Sequence, residues 1–186
     1  IVLLHEPPAG PDAEVKTQLK QNMGTLLDEL DVTALYVTHD QSEAMVMCDR
    51  IAVMNDGTVE QVGAPDDVYE RPANEFVADF VGTSNRLPAE ARDGALDFGH
   101  ATVSGPDGYR GAVTVITRPE AFELGRGSFD ATVTDRFYLG EHVRVAAELP
   151  SGEAVTLRLD PADAPAVGED ITLGLDTDRV HIIPTA

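Results

Sequence analysis

Ala34-Leu35-Tyr36-Val37-Thr38-His39-Asp40-Gln41-Ser42-Glu43-Ala44 is the stretch on which the reading of this chain turns. Its first four residues form an apolar run the length of a buried strand, and the polar residues follow at its carboxyl end. Polar side chains there, just before a helix, are well placed to meet a ligand. Asp40 and Glu43 have the spacing of a capping box, with Asp40 as N-cap and Glu43 at the third helical position. His39 is therefore expected between a rigid strand and a well-started helix. A lone histidine in such a place is most often an ordinary strand-end residue. Its company decides whether it is more.

Working outward, Ile1-Val2-Leu3-Leu4 reads as another buried strand, followed by the turn-rich Pro7-Pro8-Ala9-Gly10-Pro11. Asp12 is placed to cap a helix over residues 12–30, with Val15, Leu19, Met23, Leu26, Leu27 and Leu30 on one face. Strand, helix, strand, helix is an α/β pattern with a parallel sheet. Asn55-Asp56-Gly57 between two apolar runs predicts a hairpin. Residues 66–69 and 74–81 read as short helices, the second with Phe76, Val77, Phe80 and Val81 on an apolar face. After Gly82 the character changes. Short β-branched runs at 112–117, 129–137, 142–148, 154–160, 170–175 and 179–183 recur between turns, which suggests a small sandwich or barrel. The boundary is placed at residues 82–85, giving a first domain of 1–82 and a second of 83–186.

The chain has 186 residues, 42% of them hydrophobic, enough for one ordinary domain or two small ones. Thirty-three acidic residues against thirteen basic ones give a formal charge of −20. Phosphate backbones and anionic membranes need a basic face, so neither nucleic acid nor a lipid surface is the expected partner. Lysine occurs only at Lys16 and Lys20. An acidic, lysine-poor and non-disordered composition suits a salt-rich, halophilic cytoplasm, where salt screens self-repulsion. Cys48 is the single cysteine, which excludes an internal disulfide, and its apolar neighbours point to packing rather than reactivity. No apolar run approaches the length of a membrane span. The sequence opens on a strand without a methionine and reads as a fragment, a processed product or a trimmed form.

Glu6 stands at the end of the first strand, where a carboxylate can orient or deprotonate a water, or simply face solvent. Asp12 by itself is a helix N-cap. Asn55-Asp56-Gly57 is turn chemistry, and Arg118-Pro119-Glu120 reads as a structural turn at a strand end.

Taken together, Leu3-Leu4-His5-Glu6-Pro7, the short loop to Asp12, and Thr38-His39-Asp40-Gln41-Ser42-Glu43-Ala44 resemble the distal half of an ABC-transporter ATPase subunit. Asp49-Arg50-Ile51-Ala52-Val53-Met54-Asn55-Asp56-Gly57, Gln61-Val62-Gly63-Ala64-Pro65 and Phe76-Val77-Ala78-Asp79-Phe80-Val81-Gly82 continue the likeness. Residues 83–186, with Arg118-Pro119-Glu120 and Leu139-Gly140, are similar to a TOBE domain, an OB-like β-barrel module. The resemblance implies an α/β remnant of a P-loop ATPase domain followed by an all-β barrel domain. The subgroup it points to imports sugars, polyamines, ferric iron or oxyanions. The length of the β-domain slightly favours the last three.

The resemblance also implies roles. Glu6 matches the Walker B glutamate that polarises the attacking water. His39 matches the switch-loop histidine on the γ-phosphate, and Asp12 the D-loop aspartate that meets the opposite subunit. ATP and Mg²⁺ would be the cofactors of the family. The partners would be a second copy and membrane permease subunits, at the cytoplasmic face of the membrane. Two departures qualify this. His5 stands where the family has the Mg²⁺-supporting aspartate, and imidazole is a poor partner for that oxygen-seeking ion. Pro11 replaces a usual leucine in the D-loop. No G-x-x-x-x-G-K-[ST] loop occurs in the sequence, nor do the signature segment and glutamine loop, so this chain alone is not expected to hold or hydrolyse ATP. The alternatives are a non-catalytic dimerising or ligand-sensing module, and a decayed gene product. Val2, Leu4, Leu35 and Val37 would need cover, which predicts self-association as a homodimer.

Overall fold

The computed structural model describes residues 1–5 and 32–185. Among these residues strands outweigh helices, and the chain divides into two compact units, Ile1–Tyr69 and Glu70–Ala186.

In the first unit, β1 (Val2–His5) and β2 (Ala34–Val37) pair in parallel, with Val2 opposite Ala34 and His5 opposite Val37. Both carboxyl ends therefore lie at one end of the pair. The helix expected over 12–30 falls outside the described residues. Residues Gln41–Met47 form α1. β3 (Ile51–Asn55) and β4 (Thr58–Gly63) make the expected hairpin. Asp56 and Gly57 both take positive φ, 46° and 80°. That is the primed turn whose twist matches the flanking strands. α2 (Pro65–Glu70) closes the unit. Val2, Leu3, Leu35 and Val37 are exposed.

In the second unit α3 (Glu75–Phe80) is N-capped by Asn74, whose side chain accepts from Val77 N at 2.9 Å. The compact units part at residues 69 and 70. This helix therefore packs with the β-rich part of the chain, although the change in sequence character comes later, at 82–85. Its buried residues are Val77 and Ala78; Phe80 is exposed and stacks on Phe76 at 5.5 Å between ring centres.

Nine strands follow: β5 (Asn85–Arg92), β6 (Ala95–Asp97), β7 (Thr102–Ser104), β8 (Gly111–Thr117), β9 (Phe122–Tyr138), β10 (Val143–Glu148), β11 (Ala154–Leu159), β12 (Asp170–Leu175) and β13 (Val180–Pro184). They form two sheets, ordered β13-β8-β5-β6-β7 and β11-β10-β9-β12. β10 shows why. Val143, Val145 and Ala147 are buried while Arg144 and Glu148 are exposed, the period of two that a half-buried strand requires. Leu87, Leu96 and Val115 from one sheet join Phe129, Val145, Leu157 and Leu173 from the other in a single core. Phe129 sits among Phe98 and Phe122 in edge-on contact, at 5.1 and 6.1 Å between ring centres. Such pairs add about 1 kcal/mol beyond the area they bury.

Candidate functional site: the carboxyl ends of the parallel pair

The parallel pairing places His5, the last residue of β1, and Thr38-His39, which follow β2, at the same end of the strands. Glu6 and Asp12 fall outside the described residues. His39 is exposed, one residue before the cap of α1.

The residues on either side of His39 are held by a hydrogen-bond network. Asp40 is the N-cap: its Oδ1 accepts from Ser42 N at 3.0 Å, Glu43 N at 3.3 Å and Ser42 Oγ at 2.5 Å. That half of the expected capping box is present. The reciprocal half is not. Glu43 is buried, and its Oε2 accepts from Tyr36 Oη at 2.5 Å and Thr38 Oγ1 at 3.1 Å. The Asp40 N–H that a capping box would serve donates to Thr38 Oγ1 at 2.9 Å. Thr38 thus accepts from one side of the turn and donates to the other. The physical reason is local competition: Thr38 lies two residues from Asp40 and reaches its N–H first. Glu43 is thereby turned toward the strand. Spacing singled out Glu43 as a partner of Asp40 but not its contact with Tyr36, because that contact joins a strand to a helix seven residues on.

Cys48 caps the far end of α1 and is partly buried. Burial, and then the neighbouring Asp49 charge, push its thiol up, away from the reactive thiolate. Among the described residues no group of three metal-ligating side chains comes together. No helix among them is long and apolar enough to cross a membrane.

In the second unit, Arg118 is buried, and its Nη1 donates to the carbonyls of Ala78 at 2.9 Å and Thr83 at 3.1 Å. It ties the end of α3 and the following loop to the end of β8. Pro119–Ala121 form a turn of 3₁₀ helix, as expected for a structural turn. Asn85, also buried, pairs twice with the backbone of Thr156. Its Nδ2 donates to Thr156 O at 2.9 Å, and its Oδ1 accepts from Thr156 N at 2.7 Å. It mimics a strand for β11, the edge of the other sheet.

Comparison with known proteins adds a sequence context. A TOBE domain is matched over residues 115–183. The spermidine/putrescine import ATP-binding protein PotA of Borreliella afzelii is 31% identical, over 98% of this chain and 54% of its own. PotA 1 of Pseudomonas aeruginosa is 34% identical over the same shares. The sulfate/thiosulfate import ATP-binding protein CysA of Acinetobacter baylyi is 36% identical, over 88% of this chain and 48% of its own. The chain spans about half the length of these relatives. Among solved structures, a cytoplasmic molybdate-binding protein, ModG, aligns at a TM-score of 0.43 and 11% identity, over 54% of this chain and 94% of its own.

Proposed function

We propose that the chain is the C-terminal portion of an ABC importer ATP-binding subunit with a TOBE domain, a reading supported by the TOBE match and by the relatives it resembles over about half their length. Residues 1–82 would be the distal part of the ATPase domain, an α/β remnant, and residues 83–186 the regulatory β-domain. The observation that carries the reading is His39, exposed at the carboxyl end of a parallel strand pair, in a turn whose flanking residues are tied by the Thr38–Asp40–Glu43 network. An imidazole held there can hydrogen-bond the terminal phosphate of a nucleotide, and phosphoryl transfer depends mostly on such positioning. Glu6 is assigned to orienting the attacking water, and Asp12 to contact with a second copy. The subunit would serve permease subunits at the cytoplasmic face of the membrane.

The residues of this chain do not themselves fit a complete Mg-ATP site. The sequence holds no glycine-lysine loop to cradle phosphates, and His5 is a poor Mg²⁺ partner. Calorimetry of the 186-residue chain with Mg-ATP is expected to show no micromolar binding. In the whole transporter, His39→Ala and Glu6→Gln are each expected to slow ATP turnover at least about 100-fold, the scale for losing one preorganised transition-state contact. Full turnover with His39→Ala overturns the assignment.

The histidine at position 5 favours a second reading, a dimerising or ligand-sensing module without ATPase activity. Unchanged uptake by a transporter carrying both substitutions would select it. Under either reading two copies associate, and Val2, Leu35 and Val37, three of the four residues expected to need cover, are exposed in support of this, while Leu4 is half-buried. The solute is left to other subunits: relatives named for polyamines and for sulfate match this chain to similar degrees.

A further inference from the structure

We propose that the Asp56–Gly57 peptide is a self-modification site, at which the chain closes a succinimide ring and reopens it as isoaspartate at the tip of the β3–β4 hairpin. Three Asp-Gly pairs occur in the sequence, at residues 56–57, 93–94 and 107–108. Glycine shields the following amide from none of them, so the sequence ranks all three alike. Their surroundings differ. Asp56, Gly57 and Thr58 are exposed, and a Cβ on Gly57 would meet nothing within 4 Å. Among the described residues neither the Asp56 carboxylate nor the Gly57 N–H has a hydrogen-bond partner. Asn55 lies opposite Thr58, so Asp56 and Gly57 are the whole loop. Ring closure requires the Asp56 side chain and the Gly57 nitrogen to swing together, out of the primed turn. Little opposes that. β3 and β4 form a sheet of their own, with no third strand beside them among the described residues, and a lone hairpin is marginally stable. Met54 and Val59, opposite each other on it, are exposed rather than packed. Asp56 also holds a positive φ of 46°, a region that residues other than glycine enter sparingly.

Asp93 and Gly94 take nearly the same φ values, 47° and 80°, so turn shape does not separate the sites. Contacts do. Arg110 Nη2 donates to Asp93 Oδ1 at 2.9 Å. A Cβ on Gly94 would come within 2.8 Å of Asp107 Oδ1, so the Asp107 carboxylate rests over the Gly94 backbone. Gly94 O accepts from Gly105 N at 2.8 Å, and this turn joins two strands of a five-stranded sheet. Asp56 has no tie of either kind. In the reaction the Gly57 nitrogen attacks Cγ of Asp56, an N–C bond forms and one water leaves. Water then adds to either ring carbonyl. Opening one way restores aspartate. Opening the other way runs the main chain through Cβ and Cγ and leaves the α-carboxylate as the side group. The water lost is regained, and no further reactant is consumed. The main chain gains a methylene in a loop whose length fixes the hairpin register, so the Asn55–Thr58 pairing is what the modification breaks.

Peptide mapping of the folded 186-residue chain, aged at neutral pH in water enriched in heavy oxygen, tests this. Each ring opening leaves one heavy oxygen at its site, and isoaspartyl peptides separate from aspartyl ones on chromatography. Label and isoaspartate are expected to accumulate at Asp56 severalfold faster than at Asp93 or Asp107. In the urea-unfolded chain the three sites should react at similar rates. Arg110→Ala should raise labelling at Asp93 severalfold and leave Asp56 unchanged. Asp56→Asn closes the same ring with loss of ammonia, a better leaving group than water, and should give the same products faster. Labelling at Asp56 no faster than at the other two in the folded chain overturns the site, as does an Asp56→Asn variant that stays unconverted. A ranking that survives unfolding overturns the structural cause.

Discussion

Asn85 shows how much a single polar side chain can hold. Its amide satisfies both the N–H and the C=O of Thr156, so truncation leaves two backbone groups at a sheet edge without their partner. Asn85→Ala is expected to destabilise the second unit by about 2 kcal/mol, measured by urea unfolding. Asn85→Asp keeps the acceptor and should fall between the two. His181 on β13 adds a pH dependence. Burial pushes its pKa down and the Arg71 charge lowers it further, against a hydrogen bond to the Pro72 backbone that raises it. Its folded pKa thus lies below the ordinary value near 6.5, and as pH falls through that value the unfolded chain takes up a proton that the folded one resists. The contribution is present above the ordinary pKa and lost on acidification. His181→Gln should lose less stability between about pH 7.5 and 5 than the parent chain.

Elements were legible where their pattern was local. The Asp-Gly hairpin, the Asp40 cap and strands β8 and β10–β13 follow from turn residues and alternation. β5–β7 and the first half of β9 did not. β5 carries Pro88 in a stretch that pairs on one side only, with β8, so proline is tolerated where the pattern argued against a strand. β9 is interrupted by Gly125 and Gly127. Its register against β12 jumps from Asp130 opposite Thr172 to Leu124 opposite Leu173, leaving residues 125–129 of β9 unpaired in that ladder. The two backbones touch there. A Cβ on Gly174 would enter the Arg126 carbonyl, and one on Gly127 would enter Gly174 and the Leu173 carbonyl. Since the obstacles are backbone, Gly174→Ala should cost about 3 kcal/mol or more, lowering the unfolding midpoint of the second unit. Wild-type stability of that variant would mean the strands can separate without loss.

The charge belongs to the whole molecule. With 33 acidic and 13 basic residues, and the ion pairs among the described residues mostly exposed, compaction concentrates like charge. The screening length falls from about 10 Å at 0.1 M salt to about 3 Å at 1 M. Stability against urea should therefore rise clearly between those concentrations of sodium chloride; equal stability would remove the case for a salt-adapted chain. The sequence by itself determined the Asp-Gly hairpin, the cap at Asp40 and the place of His39 at the carboxyl end of its strand, because these rest on neighbours within a few residues. Only the tertiary structure decided that Glu43 serves Tyr36 and Thr38 rather than Asp40, and that α3 joins the β-unit through Arg118. These depend on which distant backbone or side chain arrives first at a polar group, and no local pattern carries that.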